Sequence, residues 1–159
     1  MSSKAVMTRF FLLREASAHD VPAMARCRAA DTVAGPADPR MEAYFNGLYH
    51  PQQALAARIG YVALADDNVI GYIAGHRTER HGCAGEVEYL FVAPAHRRQG
   101  VATALMRRLA EWFQAHEAQK VCVDVNPDSP AGRPFYESTG AGQLKGPWYA
   151  WEDIRALLR

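Results

Sequence analysis

The sequence predicts a mixed α/β (α+β) fold in which a mostly antiparallel central sheet is flanked by helices. Three observations carry this expectation. The hydrophobic pattern switches between a two-residue and a 3.6-residue repeat along the chain. β-rich runs cluster between residues 61 and 92 and are joined by tight-turn residues, which marks antiparallel neighbours and not a regular βαβ repeat. The chain of 159 residues, 49% hydrophobic and 22% charged, suits one compact soluble domain spanning 1–159, with its core from about 10 to 152.

The elements follow in order. Phe10 to Arg14 reads as a first strand. Ser17-Ala18-His19-Asp20 reads as a capping box opening a helix to about Ala30, with Pro22 tolerated in its first turn. Gly35 to Pro39 breaks that helix. A second helical stretch passes through Met41, Tyr44, Phe45 and Leu48, and a third short run follows Pro51, grouped with the helices. Tyr61 to Ala65 and Val69 to Thr78, separated by Asp66-Asp67-Asn68, form a hairpin signal. After a turn at His81 to Gly85, Glu86 to Val92 is the next strand, ended by Pro94.

From Gly100 the period becomes helical, with Val101, Leu105, Leu109, Trp112, Phe113 and His116 on one face. Val121 to Val125 is a continuous run of the kind buried in the centre of a sheet. A short helix holds Phe135 and Tyr136 and closes at Gly140. Trp148 to Trp151 reads as a final strand before Ile154 to Leu158.

Charge and cysteine usage exclude several function classes. Eighteen Lys and Arg against seventeen Asp and Glu leave a formal charge of +1, too little for a nucleic-acid-coating protein. No apolar stretch approaches the ~20 residues of a membrane span, and Phe10 to Leu13 is too short for a signal peptide's apolar region. Cys27, Cys83 and Cys122 are scattered, without C-x-x-C, so neither a disulfide framework nor a zinc knuckle is expected. His76 and His81 lack metal-ligand spacing, and Cys83 sits in a turn without a fixed histidine partner; structural roles and no metal are expected for them. A cytoplasmic location fits.

The informative stretch runs from Glu86 to Thr103, a strand leading through a loop into the long helix. Gly100 and Ala102 are small residues in the helix's first turn and let a ligand approach the main chain. The free N–H groups from Gln99 to Thr103, aided by the helix dipole, favour an anion there. Between Glu88 and Glu111 no acidic residue occurs, and Arg97 and Arg98 stand at the mouth. The site suits a pyrophosphate. It is neither a P-loop nor a dinucleotide fingerprint, because G-x-x-x-x-G-K-[ST] and G-x-G-x-x-G are both missing.

Arg97-Arg98-Gln99-Gly100-Val101-Ala102 resembles the [Q/R]-x-x-G-x-[G/A] acetyl-CoA motif of the GNAT superfamily of N-acetyltransferases. Leu90-Phe91-Val92-Ala93-Pro94 is similar to that family's preceding strand, and Phe135-Tyr136-Glu137-Ser138-Thr139-Gly140-Ala141 to its F-Y-E-x-x-G-[FA] segment. The resemblance implies that the strand from Leu90 to Ala93, commonly beside a β-bulge, binds the pantetheine arm of acetyl-CoA through its backbone. The N–H of Val92 or Phe91 would polarise the thioester carbonyl. Backbone amides from Arg98 through Gln99, Gly100, Val101 and Ala102 to Thr103 would hold the pyrophosphate, with Arg97 adding charge. Tyr136 would protonate the leaving thiolate. The family's loop asparagine lies seven residues before that tyrosine; Ser129 stands there and Asn126 lies ten before, so either side chain is a candidate.

Acetyl transfer to an amine needs a base. Period-2 alternation puts Glu86, Glu88, Leu90 and Val92 on one strand face, and Glu88 or Glu86 is the candidate, with Glu88 deeper in the strand. The acceptor amine is expected among Asp31 to His50, the loop from Thr78 to Gly82 and the last strand. Tyr44, Phe45, Tyr49 and His50 would line its site, and Asp31, Asp38 and Glu42 would recognise the amine. The expected activity is acetyl transfer to a primary amine of a small molecule or peptide, with no nucleic-acid or membrane partner; a homodimer is compatible. Two other readings stay open. One is a catalytically silent acyl-CoA-binding sensor or assembly module of the same fold, and the other is a nucleotide-phosphate binder using the same helix N-terminus.

Overall fold

The computed structural model describes residues 6–8, 11–129 and 131–159. Among them an eight-stranded sheet forms with the order β1-β2-β3-β4-β5-β6-β8-β7. β1 (Val6–Thr8) and β2 (Phe11–Glu15) pair antiparallel, followed by β3 (Ala54–Ala65), β4 (Asn68–Thr78) and β5 (Gly85–Val92) in the same sense. β6 (Val121–Asp124) joins β5 in parallel, and β8 (Trp148–Trp151) and β7 (Gly142–Lys145) complete the sheet antiparallel. Helices α1 (Val21–Ala29), α2 (Met41–Phe45), α3 (Val101–Ala115) and α4 (Gly132–Ser138) connect the strands. This is the expected mixed, mostly antiparallel architecture. Phe10, where the sequence places the start of its first strand, lies outside the described residues.

Local chemistry accounts for most of these elements. The Ser17 hydroxyl accepts from the N–H of His19, and the Asp20 carboxylate accepts from the N–H of Ser17; this capping box starts a single 3-10 turn that hands over to α1 at Val21. Asp66 and Asp67 join β3 to β4 with φ of 49° and 65°, the left-handed pair that a two-residue hairpin of right-handed twist requires. On α3, Val101, Leu105, Met106, Leu109, Ala110 and Phe113 are buried and pack on one face of the sheet. Trp112 and His116, expected on that face, are only partly buried and stack on one another at 4.0 Å. On the opposite face Met24, Cys27 and Met41 from the first two helices cover Val62, Tyr72 and Phe91. Among the described residues no helix is long and apolar enough to cross a membrane.

Two elements depart from the sequence reading. The run after Pro51 is strand, since β3 begins at Ala54. Ala54-Leu55-Ala56-Ala57-Arg58 has helix-forming residues, but the far half of β4 offers it a partner: Ala54 pairs with Thr78 and Arg58 with His76 across an irregular register. Tertiary pairing overrides local propensity there. The second departure is β7, which the sequence does not announce; Gly142-Gln143-Leu144-Lys145 is an exposed edge strand with little apolar alternation.

Candidate active site

The site arises where two parallel strands part. β5 and β6 pair only between Gly85–Val87 and Val121–Val123. Beyond them β5 runs on to Val92 with one edge unpaired, and the gap widens into a cleft of ≈ 1130 Å³. The N–H of Ala93 donates to the carbonyl of Ile70 at 2.8 Å. In an antiparallel ladder that bond fixes the alternation, so Phe91 also bonds toward β4 while the amides of Leu90 and Val92 face the open edge. Of the two amides open in the sequence reading, Val92 is therefore the one directed at the cleft. Ala93 turns away from it.

β5 is also bulged. Val87 pairs with Gly75 and Tyr89 with Ala74, which leaves Glu88 as an extra residue in the strand. Glu86 and Glu88 keep a common side as alternation expects, but Leu90 and Val92 do not share it. Val87, Leu90 and Val92 pack with α3, whereas Tyr89 and Phe91 pack with the cluster under α1 and α2. The bulge reverses the face of every later residue. A two-residue period read from the sequence cannot register it.

The mouth of the cleft is the loop from Arg97 to Gly100 and the first turn of α3. Arg98 and Gly100 both take left-handed backbone conformations, with φ of 62° and 86°. Among the described residues the N–H groups from Arg98 through Gln99, Gly100, Val101 and Ala102 to Thr103 have no acceptor; the next donor, Ala104, bonds to the carbonyl of Gly100 at 3.0 Å. No acidic residue lies in the first turn. A run of unpaired amides at a helix N-terminus, with alternating left-handed residues, is a nest for an anion. Arg97 is already engaged: its Nε donates to the Val92 carbonyl at 2.9 Å and Nη2 to Asp31 at 2.7 Å. Asp31 thus belongs to the mouth of this cleft and not to a separate amine site.

The far wall comes from the segment after β6. Tyr136 on α4 is 8% exposed, borders the cleft, and packs edge-on against Phe135 and Trp151. Its hydroxyl has no hydrogen-bond partner among the described residues, and burial raises its pKa well above that of a free tyrosine. The phenol is therefore protonated at neutral pH. Asn126 and Ser129 both line the cleft. Asn126 Oδ1 accepts from the N–H of Asp128 at 2.9 Å, which commits its carbonyl to the loop.

At the inner end, Glu88 borders a second, smaller pocket of ≈ 350 Å³ lined also by Tyr49, Arg80, Glu86, Asp124 and Trp148. Burial, and after it the charge of Glu86, raises the Glu88 carboxyl to a pKa of about 7. Burial and Glu86 also raise Asp124. Glu86 is 3% exposed, and its Oε1 lacks a hydrogen-bond donor; His76 Nε2 at 3.6 Å and Arg80 Nε at 3.7 Å are too distant to supply one. His76 is fully buried and shares a 2.9 Å hydrogen bond between Nδ1 and the Tyr44 hydroxyl.

Among the described residues His76, Glu86 and Glu88 are the group with donor types and spacing suited to a metal ion, their ligand atoms lying within 4.8 Å of one another. Of the expected acceptor residues, Tyr49 reaches the smaller pocket. Tyr44 is buried behind His76, and Asp38 is held by Arg40 and the Tyr89 hydroxyl. Asp124 and Arg80 were not singled out from the sequence. The available signal for Asp124 was a carboxylate closing an apolar strand, since the C-terminal ends of parallel strands are where ligands collect.

Comparison with known proteins agrees with this geometry. The model of the acetyltransferase (GNAT) family matches residues 26–141, well over half of the chain. No curated protein sequence matches. A GNAT-family acetyltransferase from Staphylococcus aureus superposes with a TM-score of 0.69 at 11% identity, covering 88% of this chain and 97% of that one. The PaiA N-acetyltransferase of Thermoplasma acidophilum, solved with coenzyme A, gives 0.65 at 18% identity over 91% and 97% of the two chains. The ribosomal-protein-S18-alanine N-acetyltransferase of Escherichia coli gives 0.64 at 16% identity over 86% and 80%. At such low identity these likenesses speak for the fold, and the family model speaks for descent: the chain belongs to the GNAT acetyltransferase family and is an acyltransferase.

Proposed function

We propose that the chain transfers an acetyl group from acetyl-CoA to a primary amine of a small molecule or peptide by direct attack. The observation that carries this reading is the position of Glu88, a carboxylate of raised pKa on the bulge where the large cleft meets the smaller pocket. The residues present fit acetyl-CoA. The amides from Arg98 to Thr103 would hold the pyrophosphate, the open edge at Leu90 and Val92 would bond the pantetheine arm, and Asn126 or Ser129 would close the far side. When bound, the thioester supplies an activated acyl group.

In this reading the acceptor amine enters from the smaller pocket and loses a proton to Glu88, directly or through water. A base with a pKa near 7 is matched to that task at neutral pH. Glu86 stays behind it as the neighbouring charge. The Val92 N–H stabilises the negative charge that develops on the carbonyl oxygen. A C–N bond forms and a C–S bond breaks. Tyr136, held protonated by burial, gives its hydroxyl proton to the departing sulfur, and the second proton shed by the new amide nitrogen restores the phenol. The reading calls for no metal, nucleic acid or membrane, and a single cytoplasmic domain suffices.

The test is CoA-thiol release by the purified chain across amines, amino acids and peptide N-termini, alongside melting temperature with acetyl-CoA, ATP or NAD. Thiol release with at least one amine, and stabilisation by acetyl-CoA alone, is expected. Stabilisation without release from any acceptor would leave a silent acyl-CoA binder. Stabilisation by ATP or NAD in its place would remove the CoA assignment.

A further inference from the structure

We propose that the smaller pocket selects acceptors carrying a second positive charge, so that the preferred substrates are compact alkyl diamines and not monoamines or amino acids. The inference rests on the acetyl-transfer reading and deepens it.

The pocket holds three carboxylates, Glu86, Glu88 and Asp124, against one guanidinium, Arg80. Among the described residues Arg80 makes one ion pair in the group, Nε to Glu86 Oε1 at 3.7 Å, which leaves Glu88 and Asp124 without a cationic partner on the pocket wall. Arg80 is constrained in what it can offer. Its Nε donates to the Gln52 carbonyl at 3.2 Å and its guanidinium lies 4.8 Å from the Trp148 ring centroid.

An independent observation points to a ligand rich in N–H groups. Glu86 Oε1 is buried on the pocket wall without a hydrogen-bond donor; His76 Nε2 at 3.6 Å and Arg80 Nε at 3.7 Å stand within ion-pair range but beyond hydrogen-bond distance. Buried carboxylate oxygens are costly to leave unmatched. An alkylammonium brings three donors on a slim chain. The aromatic rings of Tyr49 and Trp148 would flank its methylenes and its charge.

Charge balance separates the acceptor classes. When the acceptor amine is neutral and its proton rests on Glu88, the pocket retains Glu86 and Asp124 against Arg80, with histidines counted as neutral. A monoamine leaves that single negative charge unmatched. An amino acid adds a carboxylate and makes it two. A diamine brings one ammonium and balances it. The reactive nitrogen must lie at Glu88, where the two cavities join, so the second nitrogen falls toward Glu86, which lines only the smaller pocket, with Asp124 at the junction beside Glu88.

The experiment measures kcat/KM for CoA-thiol release by the full chain with three matched series: α,ω-diamines, n-alkylamines and ω-amino acids of equal chain length. The diamine of best length is expected to exceed its monoamine by about tenfold or more, with the amino acid lowest. In Asp124→Asn the ratio of diamine to monoamine should fall several-fold. The ratio is taken within each protein, so a variant that folds poorly lowers both values and leaves it intact. Monoamines or amino acids equalling the diamines, or a ratio unchanged in Asp124→Asn, would overturn the selectivity while leaving the transferase reading in place. No thiol release from any of the three series, nor from peptide N-termini, would overturn both.

Discussion

Glu86 and Glu88 bring their carboxylates into one small volume with the His76 imidazole, yet only Glu86 is sealed from solvent while Glu88 opens onto two cavities. The proposed division of labour rests on this difference: the buried group would supply charge, and the group at the rim would take the proton.

The acetylation rate should therefore fall as pH drops through about 7, where Glu88 becomes protonated. Titration of the acceptor amine adds its own slope, so the comparison is with Glu88→Gln. That variant should lose about 10²-fold in kcat or more, and its remaining rate should lack the limb near pH 7. Stopped or continuous thiol assays from pH 5.5 to 9 read both. A limb near 7 persisting in Glu88→Gln would assign the base elsewhere.

Glu88 also links stability to pH. Its folded pKa of about 7 lies above the 4.5 of a glutamate in water, so between these limits the folded state holds more proton than the unfolded one. Its contribution is fully present below pH 4.5 and is lost as pH rises through 7. Glu88→Gln should thus be more stable than the parent at pH 8, on the order of 1 kcal/mol, with the gap closing toward pH 5. Melting curves at the two pH values decide it; a gap that is constant or widens on acidification contradicts the burial argument.

Gly100 occupies a left-handed conformation, and among the described residues, its chain neighbours apart, a Cβ there would meet no atom within 4 Å. Gly100→Ala should cost about 1 kcal/mol through backbone strain. Gly100→Glu, which adds bulk and a negative charge beside the open amides, should reduce acetyl-CoA affinity far beyond that strain, by 100-fold or more in calorimetry. Equal affinity in both variants would remove the anion site from the account.

The Tyr136 ring packs against Phe135 and Trp151, but its hydroxyl is unpartnered among the described residues. Tyr136→Phe should therefore keep the melting temperature and the affinity for acetyl-CoA while lowering kcat by roughly 10- to 100-fold. Use of a better thiol leaving group should restore part of the loss. Undiminished kcat would make Tyr136 a packing residue only.

His76 is expected to matter for stability as well as for the site. His76→Ala would open a cavity, strip the Tyr44 hydroxyl of its 2.9 Å partner and leave Glu86 with one neighbour fewer. A loss of about 2–4 kcal/mol in denaturant unfolding is expected, with His76→Gln less affected because it keeps a polar partner for Tyr44.

Features coded by adjacent residues were the legible ones. The capping box at Ser17 and Asp20, the hairpin turn at Asp66 and Asp67, and the apolar stripe of α3 each depend on a few consecutive positions. The nest after Val92 belongs to the same class, since Gly100 and the acid-free stretch are written locally. The bulge at Glu88, anticipated by the family resemblance and not by the residue pattern, exists as a mismatch with β4, and the strand after Pro51 only as a pairing with Thr78 and His76. Likewise, His76 reads as a core histidine until Tyr44 and Glu86 arrive from two other elements. Arg80 and Asp124 come to line one pocket for the same reason.

The three parallel residue pairs joining β5 to β6 are the backbone junction of the sheet's two halves, like the crotch of a wishbone. The working space is the angle between its arms and was not hollowed out of the core. Its width answers to where the ladder stops more than to the size of any wall residue. Extending the parallel register past Val87 and Val123 would zip the arms together and erase the cleft without changing one side chain of the anion nest. A molecule bound between the arms, in turn, bridges two half-sheets that share little else at that end. In the proposed reading, binding of acetyl-CoA depends on hydrogen bonds the sheet leaves unmade.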